Sequence, residues 1–176
     1  MGHEEHRREG PRTVRLAVVT ASDSRGEAED ASGAWLRQAA KTAGHPVAAY
    51  RVVKDEPAAI RAALEEALAA GAQAIVVNGG TGIAARDRTY EAVAGLLEKR
   101  LDGFGELFRM LSYAEIGSAA MMSRAVAGVW RGCAIFSMPG SLAAVRLAWE
   151  KLVAPELSHL VRELEKDLDK GPEQGS

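Results

Sequence analysis

Three short apolar runs, each followed by a polar or glycine-rich loop and then by a helical pattern, constrain the fold of this chain more than any other feature. The runs are residues 14–20, 47–53 and 74–77, and they are rich in Val and other residues that favour strands. Strands that alternate with helices pair in parallel, and helices then cover both faces of the sheet. We therefore predict an α/β fold with three layers, α/β/α, around a mostly parallel sheet.

Residues that favour helix termini mark the ends of the first helices. Asp30 or Ser32 can cap the first helix, and Gly44 can close it. Pro57 stands at a favoured first-turn position of the second helix, and the third helix begins at about Thr89. The order strand, loop, helix is therefore predicted three times in succession.

This order changes after the third helix. Residues 103–123 look helical in pieces, with Ser112 and Glu115 at capping-box spacing. Residues 124–129 and 132–137 are two short β-type runs, which predict a hairpin. We expect this hairpin to add one antiparallel edge strand to the sheet.

Two helices are predicted near the carboxyl end of the chain. Ser141 can cap the first of them, and apolar residues recur at helical spacing on both sides of Pro155. Because proline disfavours the helix interior, we expect Pro155 to separate the two helices.

Composition narrows the class of protein. With 176 residues, of which 47% are hydrophobic, the chain suits one domain, which we place at residues 13–170, with disordered tails at 1–12 and 171–176. A formal net charge of −2 gives no basic face that would bind nucleic acid. No apolar stretch suits a membrane span or a secretory signal, so we expect no membrane partner and a cytoplasmic location.

The single cysteine, Cys133, excludes an intrachain disulfide. It stands inside a β-type run, and no His or Asp beside it forms a recognisable nucleophile motif. We therefore interpret Cys133 as a small buried core residue.

The candidate site lies in the loops that follow the strands, because ligands of open α/β sheets bind beyond the carboxyl ends of the strands. These loops are polar or rich in glycine, and they comprise residues 22–25, 54–56, 79–87 and 139–141. Together they offer backbone N–H groups for phosphate oxygens and carboxylates for a divalent cation. We expect the four loops to share one rim of the sheet.

Each of these features also has a purely structural interpretation. A glycine cluster between a strand and a helix is often only a turn, and Asp23, Asp30 and Asp55 could merely cap helices. The chain contains no G-x-x-x-x-G-K-[ST] loop, no G-x-S-x-G elbow and no G-x-G-x-x-G fingerprint. P-loop hydrolysis, serine esterase activity and ordinary dinucleotide binding therefore lose their main support.

Several ordered motifs resemble the molybdopterin-binding MogA/MoaB family of molybdenum cofactor biosynthesis. "TASDSRGEAEDASG" is similar to that family's Ser-Asp-x-Arg segment, and "NGGTGIAARDRTYEAV" to its Gly-Gly-Thr-Gly signature with a following Arg-Asp. "VKDEPAAI" and "MPGSLAAVRLAWEKLVAPELSHLV" resemble two further segments, and "GFGELFRMLSYAEIGSAAMMSRAVAGV" looks like the MoaB branch. The resemblance covers about residues 13–162.

The resemblance implies roles for particular residues. Asp55 and Asp87 match the family's two catalytic aspartates, which implies that they also hold Mg²⁺. Gly79, Gly80, Thr81 and Gly82 match the loop that holds phosphate. Weaker matches, implied to contact the substrates, are Ser22, Asp23, Glu106, Pro139, Gly140 and Ser141. The chain departs from the family's pattern at Val77, Asn78, Ala85, Tyr90 and Leu142.

The same resemblance implies an activity and an assembly. The implied activity is molybdopterin adenylyltransferase, which uses ATP with Mg²⁺ and molybdopterin and releases pyrophosphate. The alternatives are a molybdopterin-binding or carrier protein with little catalytic activity, and a regulatory nucleotide-binding domain of the same fold. The implied assembly is a homotrimer or a dimer of trimers.

Overall fold

The computed structural model describes residues 13–169, and the predictions for the tails at 1–12 and 171–176 lie outside the described residues. The strands are β1 (Leu16–Ala21), β2 (Val47–Val53), β3 (Ala74–Asn78), β4 (Lys99–Arg100), β5 (Val126–Trp130) and β6 (Cys133–Met138). The α-helices are α1 (Ala31–Thr42), α2 (Pro57–Ala69), α3 (Thr89–Leu96), α4 (Asp102–Ile116), α5 (Leu142–Ala148) and α6 (Ala154–Asp169).

The strands form one six-stranded sheet in the order β2-β1-β3-β6-β5-β4. β2, β1, β3 and β6 are parallel, whereas β5 pairs antiparallel with β6 through the predicted hairpin. Arg131 and Gly132 form the hairpin turn with φ angles of 49° and 74°. Positive φ at both central residues is typical of a two-residue hairpin loop. The short gap between the two β-type runs in the sequence predicts this tight connection.

The edge of the sheet differs from the prediction. The two-residue strand β4 pairs antiparallel with β5 and takes the outer position, so β5 is the second strand from the edge. Both residues of β4 are exposed and charged, and such a short polar strand leaves no apolar pattern in the sequence.

Helices cover both faces of the sheet, which confirms the three-layer fold. On one face, α1, α4, α5 and α6 pack on the sheet through residues such as Leu36, Phe108, Val145 and Leu157. On the other face, α2 and α3 pack through residues such as Ile60 and Val93. Because parallel strands are covered on both sides, β1 and β3 are buried along their whole lengths.

Two helix predictions are wrong. Ser112 begins no new helix, because α4 continues through it and buries its side chain. Pro155 does not break the chain into separate helices, because the π-helical segment Trp149–Val153 joins α5 to α6 and Pro155 stands in the first turn of α6. A π-helical turn changes the backbone hydrogen-bond pattern, which lets the chain continue past a residue that has no N–H group.

The topology brings the carboxyl ends of β1, β3 and β6 side by side. Thr20 pairs in register with Asn78, and Asn78 pairs with Met138. The loops that follow these strands therefore meet at one rim, as the alternation of strands and helices predicts. Among residues 13–169, no helix is long and apolar enough to cross a membrane.

Candidate functional site

A glycine turn at the end of β3 forms the centre of this rim. Gly79 and Gly80 have φ angles of 97° and 60°, and the Gly79 N–H group donates to the Met138 carbonyl at 3.0 Å. A Cβ atom at Gly79 would overlap the carbonyl oxygen of Ala21, and one at Gly80 would overlap the carboxylate of Asp55. Positive φ and close packing together require glycine at both positions.

The backbone N–H groups of the turn are free to bind a ligand. Within residues 13–169, the N–H groups of Gly80, Thr81 and Gly82 donate no hydrogen bond. The chain itself is tightly held there, because Thr81 is only 4% exposed and the Thr89 N–H group donates to the Gly80 carbonyl at 3.0 Å. Consecutive free N–H groups on a fixed turn form an anion-binding concavity, so the turn suits phosphate oxygens.

Arg124, which precedes β5, holds the outer side of this turn. Its Nε atom donates to the Thr81 carbonyl at 2.9 Å, and its Nη2 atom donates to the Gly82 carbonyl at 2.6 Å. Arg124 also forms an ion pair with Glu91, and its guanidinium group lies 4.8 Å from the ring centroid of Tyr90. The hydrogen bond from Arg124, together with its charge, holds the pKa of the Glu91 carboxyl below its ordinary value. Two carbonyl groups of the turn are thus fixed from outside.

Asp55 is a buried carboxylate beside the turn. It is 6% exposed, and its Oδ1 atom accepts hydrogen bonds from the Arg88 N–H group at 3.1 Å and from the Thr89 hydroxyl at 2.8 Å. Its own N–H group donates to Asp23 Oδ1 at 3.0 Å. Asp55 therefore contacts the start of α3 rather than capping α2, the helix that follows it in the chain, and the described residues donate no hydrogen bond to its Oδ2 atom.

Asp87 is the second carboxylate of the site. Its Oδ2 atom accepts a hydrogen bond from the Ala84 N–H group at 3.1 Å, and a Cβ atom at Gly82 would stand 2.6 Å from that oxygen. Asp87 does not cap α3, since the residue at the cap position is Arg88 and no side chain caps that end. Asp30, by contrast, caps α1 by accepting from the Gly33 N–H group at 3.0 Å.

Two adjoining cavities contain most of the predicted site residues. The first, of about 420 Å³, is lined by Arg25, residues 79–82, Asp87, residues 122–123 and residues 139–141. The second, of about 330 Å³, is lined by residues 21–25, Asp55, Gly80, Arg86 and Asp87. Arg25, Gly80 and Asp87 line both cavities. The structure therefore brings Asp55, Asp87 and the glycine turn together.

Three arginines surround the carboxylates without being neutralised by them. Arg25, Arg86 and Arg88 have no carboxylate of residues 13–166 within ion-pair distance. None of the three is among the site residues predicted from the sequence, although all three lie inside motifs that carry the family resemblance. Cations without carboxylate partners favour an anionic ligand.

The weaker site predictions have different outcomes in the structure. Ser22 Oγ accepts the Arg25 N–H group at 3.1 Å and so shapes the loop after β1. Ser141 Oγ caps α5 by accepting from the Ala144 N–H group at 3.2 Å. The Gly140 carbonyl accepts a hydrogen bond from the Ser32 hydroxyl at 2.8 Å. Glu106 is exposed on α4 and lines neither cavity.

The carboxylates can hold a divalent cation together with a phosphate ligand. Among the side chains of residues 13–166, no group of three His, Cys, Asp or Glu is placed to hold a metal ion. Mg²⁺ commonly takes only one or two carboxylates and completes its shell with water and substrate phosphate. Asp55 and Asp87 line the same cavity and fit that pattern.

Cys133 is not part of the site. It is 2% exposed within β6, as the sequence predicts, and burial raises the pKa of its thiol to about 12. A thiol that stays protonated at neutral pH is a poor nucleophile, so a core role is confirmed.

Comparison with known proteins agrees with this fold. Residues 16–159 match the family described as the probable molybdopterin binding domain, and the chain belongs to that family. More closely, molybdenum cofactor biosynthesis protein B of Halalkalibacterium halodurans is 52% identical over 169 residues, which cover 95% of this chain and 99% of that protein. Its counterpart in Bacillus subtilis has the same identity and coverage. The predicted family resemblance is confirmed.

Solved structures give the same result. A crystal structure of molybdenum cofactor biosynthesis protein B has a TM-score of 0.82 and 49% identity, and the match covers 90% of this chain and 99% of that one. The tungsten cofactor synthesizing protein MoaB from Pyrococcus furiosus also has a TM-score of 0.82, with 38% identity and coverage of 88% and 98%. The chain is thus similar to B-type proteins over nearly its whole length.

Proposed function

We propose that the protein is a molybdopterin adenylyltransferase, which joins AMP from ATP to the phosphate of molybdopterin and releases pyrophosphate. One observation carries this proposal: Gly80, whose N–H group is free, lies directly against the carboxylate of Asp55, and Asp87 lines the same cavity. A nucleotidyl transfer between two anions needs N–H donors for phosphate oxygens and carboxylates for a cation at one place.

The proposed step is a displacement at phosphorus. An oxygen of the molybdopterin phosphate forms a bond to the α-phosphorus of ATP, the bond from that phosphorus to the bridging oxygen breaks, and the electron pair leaves with pyrophosphate. A phosphate monoester is already largely ionised at neutral pH, so the step needs no general base. The free N–H groups of residues 80–82 hold phosphate oxygens in place, and the unpaired Arg25 and Arg86 offset negative charge.

Asp55 and Asp87 are the residues that would hold Mg²⁺. When bound, the ion supplies charge stabilisation to the phosphate oxygens as a Lewis acid. The contribution of the protein is to keep both carboxylates fixed, which for Asp55 follows from its two accepted hydrogen bonds and its burial.

The experiment is to incubate the pure protein with molybdopterin, ATP and Mg²⁺ and to measure pyrophosphate. We expect pyrophosphate release that requires all three components. A matched control is Asp102→Asn, which removes a carboxylate from an exposed position at the start of α4. Release that continues without molybdopterin would indicate simple ATP hydrolysis and would contradict the proposal.

A carrier function is the second candidate, and two observations favour it. The Oδ1 atom of Asn78, the residue before the glycine turn, is buried without a hydrogen-bond partner among the described residues. Three carboxylates line the cavity, namely Asp23, Asp55 and Asp87, yet within the described part of the chain they do not form a group of three placed to hold a metal ion. Binding of molybdopterin without release of pyrophosphate would favour the carrier over the enzyme.

We also propose that the protein assembles as a homotrimer or a dimer of trimers. Of the apolar residues in α4 and the following 3-10 turn Gly117–Met122, Phe104 and Phe108 belong to the core. Several others are exposed, namely Leu107, Met110, Tyr113, Ile116, Met121 and Met122. An exposed apolar strip of this length favours a protein contact. Light scattering should give a mass well above 18.7 kDa, and a monomer at micromolar concentration would contradict the assembly.

A further inference from the structure

Asn78 is the last residue of β3 and stands directly before the glycine turn, yet the adenylyl transfer described above gives its side chain no role. The four residues before it in β3 are apolar and, like Asn78, are 0% exposed. A buried amide at the end of an apolar strand needs a physical reason, because burying a polar group without its hydrogen bonds costs free energy.

The side chain of Asn78 links β3 to β1. Its Nδ2 atom donates to the Thr20 hydroxyl at 2.9 Å and makes a longer contact, of 3.4 Å, with the carbonyl of the residue before Thr20. Thr20 pairs with Asn78 in the sheet and is also 0% exposed, and Gly33 in the first turn of α1 packs against it. Met138, which pairs with Asn78 on the other side, holds the turn only through its backbone carbonyl, which accepts from the Gly79 N–H group.

The hydrogen bonds of Asn78 do not favour a role in stability alone. Its Oδ1 atom is buried and has no partner among the described residues. An unpaired buried acceptor offsets what the Nδ2 hydrogen bond contributes, and an apolar pair of the same shape would be about as stable. A buried polar group that stabilises the fold so little is expected at a functional position.

The link between Asn78 and Thr20 lies where it can set the direction of the glycine turn. Directly after Asn78, Gly79 packs so closely on Ala21, the last residue of β1, that a Cβ atom would overlap its carbonyl oxygen. The N–H groups of residues 80–82 follow at once, so the direction in which β3 ends decides where they point. Small misplacements of such donors weaken their contacts with a ligand strongly.

We infer that Asn78 is a positioning residue for the glycine turn: by joining Thr20 of β1, its amide fixes the direction in which the N–H groups of residues 80–82 point. Asn78 lines neither cavity of the site, so it acts on a ligand only through the backbone that follows it. The inference deepens the proposed function and rests on it, because the direction of these N–H groups matters only if phosphate oxygens bind there.

The test compares Thr20→Val with Thr20→Ser, which separate the hydroxyl of Thr20 from its methyl group. Valine keeps the shape and removes the acceptor of the Asn78 hydrogen bond, whereas serine keeps the acceptor. The probe is inorganic tripolyphosphate with Mg²⁺, titrated by calorimetry, since it reports phosphate binding without a contribution from the rings of the substrates. We expect Thr20→Val to bind it about tenfold more weakly than the parent, and Thr20→Ser to stay within about twofold of the parent.

Two further variants separate positioning from stability. Thr20→Val/Asn78→Leu removes both polar partners and keeps their approximate shape, so it should unfold at a temperature no lower than Thr20→Val while binding tripolyphosphate at least as weakly. Ile60→Val is the matched control, because Ile60 is 0% exposed on the other face of the sheet and lines neither cavity of the site. It should lower thermal stability and leave the affinity within about twofold of the parent.

Three results would overturn the inference. The first is a Thr20→Val protein or a double variant that binds tripolyphosphate like the parent, the second is a Thr20→Ser protein that loses as much affinity as Thr20→Val, and the third is a parent that does not bind tripolyphosphate. A parent that releases no pyrophosphate, with the expected order of affinities, would contradict the proposed enzyme and leave the positioning role intact. Pyrophosphate release by the parent with equal affinities in all variants would contradict the positioning role alone.

Discussion

The two ends of the parallel strands both have an arginine-lined cavity, yet the cavities differ in how their polar groups are used. At the amino end, a cavity of about 630 Å³ is lined by residues that include Arg15, Gln73, Arg131 and Glu165. It is larger than either cavity at the carboxyl end. Volume alone would therefore not select the carboxyl end of the sheet.

The polar groups of the amino-end cavity bind one another. Arg15 donates from Nε to the Gly71 carbonyl at 2.7 Å, and its N–H group donates to Gln73 Oε1 at 3.0 Å. Gln73 in turn donates to Glu165 Oε1 at 2.6 Å. At the carboxyl end, three arginines have no carboxylate partner and make at most long hydrogen bonds within residues 13–166, and three backbone N–H groups there donate no hydrogen bond. Unused hydrogen-bonding capacity, rather than volume, distinguishes a site for an anion from a surface depression.

The largest expected effect comes from placing a side chain in the glycine turn. Gly80→Val should abolish binding of ATP and molybdopterin, a loss of at least about a hundredfold, because the side chain would overlap Asp55 and oppose the positive φ. Calorimetry on the folded variant measures the loss. Gly132→Val is the matched control at the amino end, since Gly132 also has positive φ but no atom within 4 Å of the new Cβ. A Gly80→Val protein that binds like the parent would show that the turn is only structural.

The next effect concerns charge at Asp87. Asp87→Asn should lower pyrophosphate release roughly a hundredfold, on the order of 3 kcal/mol, while molybdopterin binding is retained. The amide keeps an acceptor for the Ala84 N–H group but loses the charge that a hard cation prefers. Both quantities are measured on one sample, beside Asp102→Asn. Unchanged release would reject the catalytic role.

A smaller effect is expected at Arg124, which binds two carbonyl groups on the outer side of the glycine turn. Arg124→Gln removes two charged donors from the Thr81 and Gly82 carbonyls, and we expect ATP binding to weaken about tenfold. Amide hydrogen exchange at Thr89, whose N–H group donates to the Gly80 carbonyl, should become faster in this variant. If exchange and affinity both match those of the parent, Arg124 does not position the turn.

Glu91→Gln removes the ion pair of Arg124 but leaves the hydrogen bonds that Arg124 donates to the glycine turn. This variant therefore tests the ion pair alone. Because Arg124 lowers the Glu91 pKa, the ion pair contributes to stability above the ordinary pKa of 4.5 and is lost as the pH falls through the lowered value. The parent and Glu91→Gln should therefore differ in thermal stability at pH 7 and converge in acid. A difference in thermal stability between the two proteins that grows as the pH falls would contradict the expected loss of the ion pair in acid.

The smallest effect is expected at the amino end. Arg15→Gln alters the larger cavity but leaves every group of the carboxyl-end site unchanged, so ATP and molybdopterin affinities should stay within about twofold of the parent. The same calorimetric titrations measure this. A loss of affinity comparable to that of Arg124→Gln would show that the two ends are coupled.

The sequence predicts the layers, the hairpin and the position of the site because these follow from local patterns. Apolar runs mark the buried strands, and the turn glycines stand in one continuous motif. The free arginines were not predictable in this way. Whether Arg25 or Arg15 is paired depends on residues that are distant in the chain, and both look alike in sequence. β4 and the helix through Pro155 were missed for a similar reason, since tertiary pairing and a π-helical turn override local preference.

The hydrogen bond from Gly79 to Met138 has a consequence for how the protein is made. It joins two strands that neighbour each other in the sheet but are separated in the chain by α3, β4, α4 and β5. A growing chain that has passed the glycine turn therefore cannot complete the site until β6 has been synthesised and has paired with β3. Contacts between distant segments form late and slowly during folding. A ligand that binds only the finished turn would favour the last strand pairing, so the substrates of the protein would also stabilise its newly folded state.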